Sequence, residues 1–187
     1  MDALTALLKR VSCPRLTEPA PRGDILTNIC KAALRAADHA NLRPWRFLVI
    51  EGKAREALGQ VFVAAAEQDD PDLSEAQRQR IKEKPLRAPM ILVAIAHCRD
   101  NPKVPECEQL ISTGAAAQNM ITAAFAQGVG AYWRTGSMAY HPKVAEGLGL
   151  AENEKIVGFV YMGTPVGTLK EVPDLTPDAF FTTWTQN

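Results

Sequence analysis

One segment constrains this chain more than any other: the apolar run Pro89-Met90-Ile91-Leu92-Val93-Ala94-Ile95-Ala96. Its length suits a buried strand and falls far short of the roughly 18 residues that a membrane helix needs. The spacing of apolar residues sets the remaining elements around it. Short helices are expected near Asp2 to Arg10, where Ala3, Leu4, Leu7 and Leu8 form a stripe, and over Asp24–Ala37, with Ile25, Ile29, Ala32, Ala33 and Ala36 on one face. Residues 11–23 read as a loop. Strands are expected over Trp45–Ile50, Ala88–His97, Ala131–Arg134 and Lys155–Met162. Helices are expected over Gly52–Ala66, Ser74–Lys84 (a lid or a solvated face), Glu106–Gln127 and His141–Leu148, with Gly128 ending the long one. Alternation of helices and strands predicts a three-layer α/β sandwich and invites a parallel sheet, although strand direction is not readable from pattern.

Composition bounds the function. The chain has 187 residues, 47% of them hydrophobic and 22% charged, which is ordinary for a globular protein, and 1–187 reads as a single domain. Lys plus Arg and Asp plus Glu are both 21, so no basic face for nucleic acid is expected. No membrane span and no secretory signal are read from the sequence. Cys13, Cys30, Cys98 and Cys107 form no Cys-x-x-Cys pair, so a cytoplasmic chain with reduced thiols is expected.

Several chemistries drop out. There is no Walker loop and no Gly-x-Ser-x-Gly elbow. Gly128-Val129-Gly130 follows a helix and enters a strand, the reverse of a dinucleotide fingerprint, and lacks its third glycine. His97-Cys98 with Cys107 fits no standard zinc spacing. No metal site is expected.

Three segments carry polar groups suited to a ligand. Arg10-Val11-Ser12-Cys13-Pro14-Arg15 brings two guanidinium forks and a hydroxyl to a helix end, which suits phosphate oxygens. The same residues also read as a helix-terminal cation with surface charge. Arg35 and His39 lie at the end of a helix and on the loop before Trp45. There Asp38 and Asn41 equally suit bonds to their own backbone. Trp133-Arg134-Thr135-Gly136-Ser137 leaves a strand end with a flat apolar surface, a charge and accessible amides. Gly136 there would let a planar ligand approach closely.

In order and spacing these segments resemble the FMN-dependent nitroreductases. The residues that carry the resemblance are Arg10, Ser12 and Arg15; the stretch Asn41-Leu42-Arg43-Pro44-Trp45-Arg46-Phe47; Trp133 to Gly136; and Lys155 through Pro165. The short length and Asp38-His39 are most similar to the small NAD(P)H nitroreductases of bacteria. The resemblance spans residues 2–165.

The resemblance implies an α+β fold, an α/β/α sandwich whose central sheet is mostly antiparallel, replacing the parallel sheet that alternation invites. It implies a homodimer with FMN at the subunit interface and the C-terminal segment 164–187 packed on the partner. That would account for a proline-broken tail carrying Phe180, Phe181 and Trp184. Carried over by motif, Arg10, Val11 and Ser12 would hold the FMN phosphate and ribityl end. Arg35 and His39 would approach the flavin ring, His39 from the partner. Trp133, Arg134 and Thr135 would flank the flavin, with Gly136 near its reactive face. Hydride would pass from NAD(P)H through flavin N5 to a nitroaromatic, quinone or other electron-poor acceptor by ping-pong turnover, with no catalytic side chain of its own. Arg35 is a candidate for stabilising the reduced flavin. The sequence departs from the family at Val11, often a second Arg, and at Ala37, where many relatives have Pro. A non-catalytic flavin-binding or flavin-sequestering dimer is the competing reading.

Overall fold

Five strands form the centre of the fold: β1 (Leu16–Thr17), β2 (Trp45–Glu51), β3 (Met90–His97), β4 (Gly130–Arg134) and β5 (Glu154–Pro165). The coordinates are a computed structural model and describe residues 1–185. Residues 186 and 187, part of the expected 1–187 domain and 164–187 tail, lie outside the described residues. Every strand pairing is antiparallel, so the parallel sheet suggested by alternation is corrected. β5 is the spine. It pairs β3 along one edge, with Met90 opposite Met162, and β4 along the other, with Gly130 opposite Gly163. β2 pairs the outer edge of β3, and β1 caps the far end of β5.

The described residues form six α-helices, α1 (Ala3–Lys9), α2 (Gly23–Ala33), α3 (Lys53–Asp69), α4 (Glu75–Lys82), α5 (Glu106–Ala126) and α6 (Pro142–Gly147), of which α3 and α5 pack on the sheet and the others mainly on these two. Successive residues of a strand face opposite ways. On β3, Ile91, Val93 and Ile95 enter one core with Leu58, Phe62 and Phe159, beneath α3 and α6. Met90, Leu92 and Ala94 enter the other with Met120, Ile121 and Val160, beneath α5 and α2. A strand covered on both faces is apolar at every position whichever way its neighbours run.

Four expectations are corrected. The helix expected over Asp24–Ala37 stops at Ala33. The Arg35 and Ala36 amides donate to the carbonyls of Ala32 and Ala33, a tightening that unwinds the helix before Asp38. On that helix Ile25 faces outward, and Leu26 packs on the core in its place. Residues 11–23 hold β1, too short to show a period. β5 runs on to Pro165, because β1 and β4 pair with its extension past Met162. The charged segment 74–84 forms α4, opened by a reciprocal Ser74–Gln77 cap and tied to α3 by Arg78 Nε donating to Glu67 at 2.6 Å.

Apolar groups remain outside both cores. Leu4, Leu7 and Leu8 on α1 are 68%, 63% and 67% exposed, and Phe180, Phe181 and Trp184 of the tail 70%, 78% and 80%. Among the described residues no helix is long and apolar enough to cross a membrane.

Candidate functional site

β4 joins the two places where polar groups gather. At its start the Cys13 amide donates to the Ala131 carbonyl at 2.9 Å, which lays the 11–13 segment beside the strand. Arg10 leaves α1 in extended backbone, Val11 is half-buried and Ser12 is exposed. Ser12 and Arg15 line a hollow of about 280 Å³ shared with Gly167, Thr168 and Lys170. Two hydroxyls, of Ser12 and Thr168, and two cations, Arg15 and Lys170, line it, while Arg10 and Val11 do not.

At the other end β4 opens into a cleft of about 350 Å³. Trp133, Arg134, Thr135 and Gly136 all line it. Gly136 has φ +65, a left-handed conformation that a side chain would strain. Tyr132, Tyr161 and Phe62 give the cleft an aromatic wall. The Arg134 guanidinium lies 4.1 Å from the Tyr132 ring centre and 5.5 Å from that of Tyr161. Its Nε is buried and has no hydrogen-bond partner among the described residues.

Trp133 and Arg134 alternate across the sheet. The Trp133 indole lies against β5, with Nε1 donating to the Val157 carbonyl at 3.3 Å. A Cβ on Gly158 would stand 1.9 Å from that nitrogen, so glycine is what admits the ring. The indole is thus held by protein and packs on the α5 side core.

Arg35 and His39 stand elsewhere. Arg35 is exposed just past α2. His39 begins a 3-10 turn over His39–Asn41, and its Nδ1 is 2.6 Å from Glu108 in the first turn of α5. Both belong to the α2–α5 layer, on the opposite face of the sheet from Arg134, and neither lines the cleft or the hollow. Asp38 is spent on its own loop, where its carboxylate accepts from the Arg43 amide at 2.6 Å.

Two cleft residues escaped the sequence reading. Lys84 and Arg87 lie on a 3-10 turn, Lys84–Arg87, that joins α4 to β3, and both reach the cleft. Burial, then the charges of Arg87 and Arg80, pull the Lys84 ammonium below its ordinary pKa. Burial pushes the Tyr161 hydroxyl up to about 12, so it stays protonated at neutral pH. The signal was present as Lys84-Pro85-Leu86-Arg87 before a buried strand, but it reads as the end of a charged helix.

A larger cavity of about 550 Å³ lies near Tyr140, His141 and Leu150. Its charges are already engaged: Glu154 by Arg46 and Lys155 by Glu106. The Arg134 cleft differs, having stacking faces, three cations and an orphaned donor. It suits a flat aromatic group joined to an anion.

The sequence model described as the nitroreductase family matches residues 7–164. This chain belongs to the nitroreductase family. It is 45% identical over 183 residues to the Escherichia coli (strain K12) protein named "Putative NAD(P)H nitroreductase YdjA", covering 95% of this chain and 97% of that one. Family and relatives make it an oxidoreductase. Among solved structures, a nitroreductase-like family protein from Bacillus cereus superposes with a TM-score of 0.83 at 22% identity, covering 100% of this chain and 97% of the other. A point variant of the FMN and NADPH-dependent nitroreductase NfnB, from sphigopyxis sp. strain HMH, gives 0.78 at 18% identity with full coverage of both. At such identities the superpositions speak for the fold, and they agree with the antiparallel α+β sandwich.

Proposed function

We propose that this chain is an FMN-dependent NAD(P)H oxidoreductase that works as a homodimer in the cytoplasm, with residues 1–187 as one flavin-binding domain. The observation that carries the reading is the Arg134 cleft: an aromatic wall, positive charge and a buried guanidinium nitrogen with no partner among the described residues. A buried donor left unmet costs about 1–3 kcal/mol, and a polar ligand would meet it. When bound, FMN supplies two-electron transfer from NAD(P)H to a nitroaromatic, quinone or similar acceptor, with both using one face in turn.

The chain's own residues bind and orient. Arg10, Ser12 and the Val11 backbone would hold the phosphate and ribityl end; of these Ser12 lines the hollow, beside the cations Arg15 and Lys170. Replacing the second Arg by Val11 leaves a main-chain contact intact. Arg134 and Thr135 would contact the flavin, and Gly136 would let it approach because no Cβ stands there. Trp133 would act by fixing β4 on β5, since its indole is committed to Val157 and Gly158. Arg35 and His39 would serve a second copy's site, being in the wrong layer for their own. The exposed α1 leucines and tail aromatics supply an apolar face for that copy. Four free cysteines agree with a reducing compartment.

An absorption spectrum of freshly purified protein, before and after anaerobic NADPH, tests this. Flavin bands that bleach are expected. Arg134→Ala should lower retained FMN about tenfold, since it removes a charge-assisted partner. Bands unmoved by NADPH and by NADH would leave a flavin binder without turnover. Colourless protein that takes up no added FMN would sink the assignment.

A further inference from the structure

The cleft carries more positive charge than its expected cofactor contacts account for. Lys84, Arg87 and Arg134 converge on it from two separate elements, the turn before β3 and the end of β4. No Asp or Glu lines it. Other cations on the surface do have an acid within reach, as Arg22 has Glu51, Arg46 has Glu154, Arg78 has Glu67 and Lys155 has Glu106, but what marks the cleft is three cations on one concave, aromatic-walled lining. None of the three cleft cations makes an ion pair among the described residues. The nearest acid in sequence, Glu83, accepts instead from Gln79 at 2.6 Å on the outside of α4. On the next surface hollow Arg80 and Arg87 stand with Glu83, two guanidinium groups to one carboxylate, so the local excess stays positive.

Like charges gathered on one lining repel, and Lys84 is held below its ordinary value by burial first and then by the charges of Arg87 and Arg80. An anionic ligand would relieve that repulsion. The remaining wall is aromatic, with Phe62, Tyr132 and Tyr161 offering ring faces and edges. A ligand matched to both halves is a flat ring bearing an oxyanion.

We propose that Lys84 and Arg87 form an anion-recognition pair that selects, among electron acceptors and donors, those carrying a carboxylate, sulfonate or phosphate next to an aromatic ring. This rests on the oxidoreductase reading of the cleft and names the ligand class it favours. Two sources share the chemistry: an acidic nitroaromatic or quinone acceptor, and the 2′-phosphate of NADPH. Arg134, stacked on Tyr132, is left to the flavin.

The test uses FMN-loaded protein, wild type and the variants Lys84→Ala, Arg87→Ala and the double. Lys84→Met with Arg87→Met serves as a second double that keeps the apolar stems. Calorimetric titration gives the dissociation constants of para-nitrobenzoate and para-nitrobenzyl alcohol, and kinetics gives the KM ratio of NADH to NADPH. Wild type should bind the nitrobenzoate more tightly than the alcohol, and added salt should erode that preference. In the double variants the preference should fall about tenfold or more, the loss expected for two charge-assisted contacts. A tenfold fall in the NADPH preference instead would support the pair and assign its anion to the dinucleotide.

Equal binding of both nitro compounds by wild type, with an unchanged nucleotide ratio in the variants, would overturn the proposal. So would variants that lose FMN while both ratios hold, because the cations would then serve the cofactor. Wild-type protein that takes up no FMN defeats the flavin reading alone. The para-nitrobenzoate titration of that flavin-free protein still reads Lys84 and Arg87, with the same two outcomes.

Discussion

Gly158 and Glu154, four residues apart on β5, are held for different reasons. Gly158 admits the Trp133 indole, and a methyl there would collide with the ring and with the carbonyl contact at Val157. Gly158→Ala should cost about 1–3 kcal/mol, the usual penalty of overpacking, and should shift tryptophan emission as the indole is displaced. Urea melts followed by fluorescence would check it. Glu154 accepts from Arg46 Nε at 2.5 Å and Nη2 at 2.6 Å, with His97 Nδ1 at 3.1 Å. The Arg46 hydrogen bonds, outweighing the cost of burial, hold its carboxyl at about 2 against an ordinary 4.5. Between those values the unfolded chain binds the proton and the native state does not. The stabilisation is therefore complete above pH 4.5 and is lost as pH falls toward 2. It amounts to at most about 3 kcal/mol, reduced by water around the half-open Arg46. Urea melts from pH 7 to pH 3 should show that loss, and Glu154→Gln should flatten it.

The elements divide by how much of their apolar surface the chain itself covers. β3, buried in both cores, and α5, buried in one, were legible from the sequence, because a long apolar run or a long small-residue helix has few alternatives. α1 was legible as a stripe, yet only Ala6 is buried and Leu4, Leu7 and Leu8 point away from the chain's own cores. On the proposed dimer reading, that exposed face would meet a second copy. Leu7→Glu with Leu8→Glu should shift a dimer to monomer at micromolar concentration without unfolding it, as sedimentation velocity would show. A dimer that survives both charges would place the interface elsewhere. β1 and the true end of α2 were not legible. A two-residue strand exists only because β5 passes beside it, and α2 stops four residues short of Ala37 through backbone turns at Arg35 and Ala36 that no side-chain period marks.

At the scale of the whole molecule, the expected flavin residues fall into two layers. Arg134, Thr135 and Gly136 open on one face of the sheet, while Arg35 and His39 ride the α2–α5 layer on the other. A site using both sets needs two copies of the chain. Flavin retention should then follow dimerisation: the Leu7 and Leu8 variant should lose FMN in parallel with its dimer, and His39→Ala should weaken flavin binding while leaving the dimer intact. Gel filtration monitored at flavin and protein wavelengths would show both. A monomer that keeps its flavin would contradict the shared site.

The sequence by itself determined that there is a buried strand, a long central helix and a sandwich around them, since hydrophobic period depends only on local order. It also carried the Arg10–Ser12 and Trp133–Gly136 motifs, whose chemistry is written in adjacent residues. Hydrophobic pattern could not decide strand direction, because a strand buried on both faces is apolar in either orientation; the family resemblance implied an antiparallel sheet, and the strand pairings bear it out. Only the tertiary structure set Trp133 against Gly158 and brought Lys84 and Arg87 to Arg134. Those contacts join residues far apart in the chain, and nothing in the local pattern at one end of such a pair describes the other.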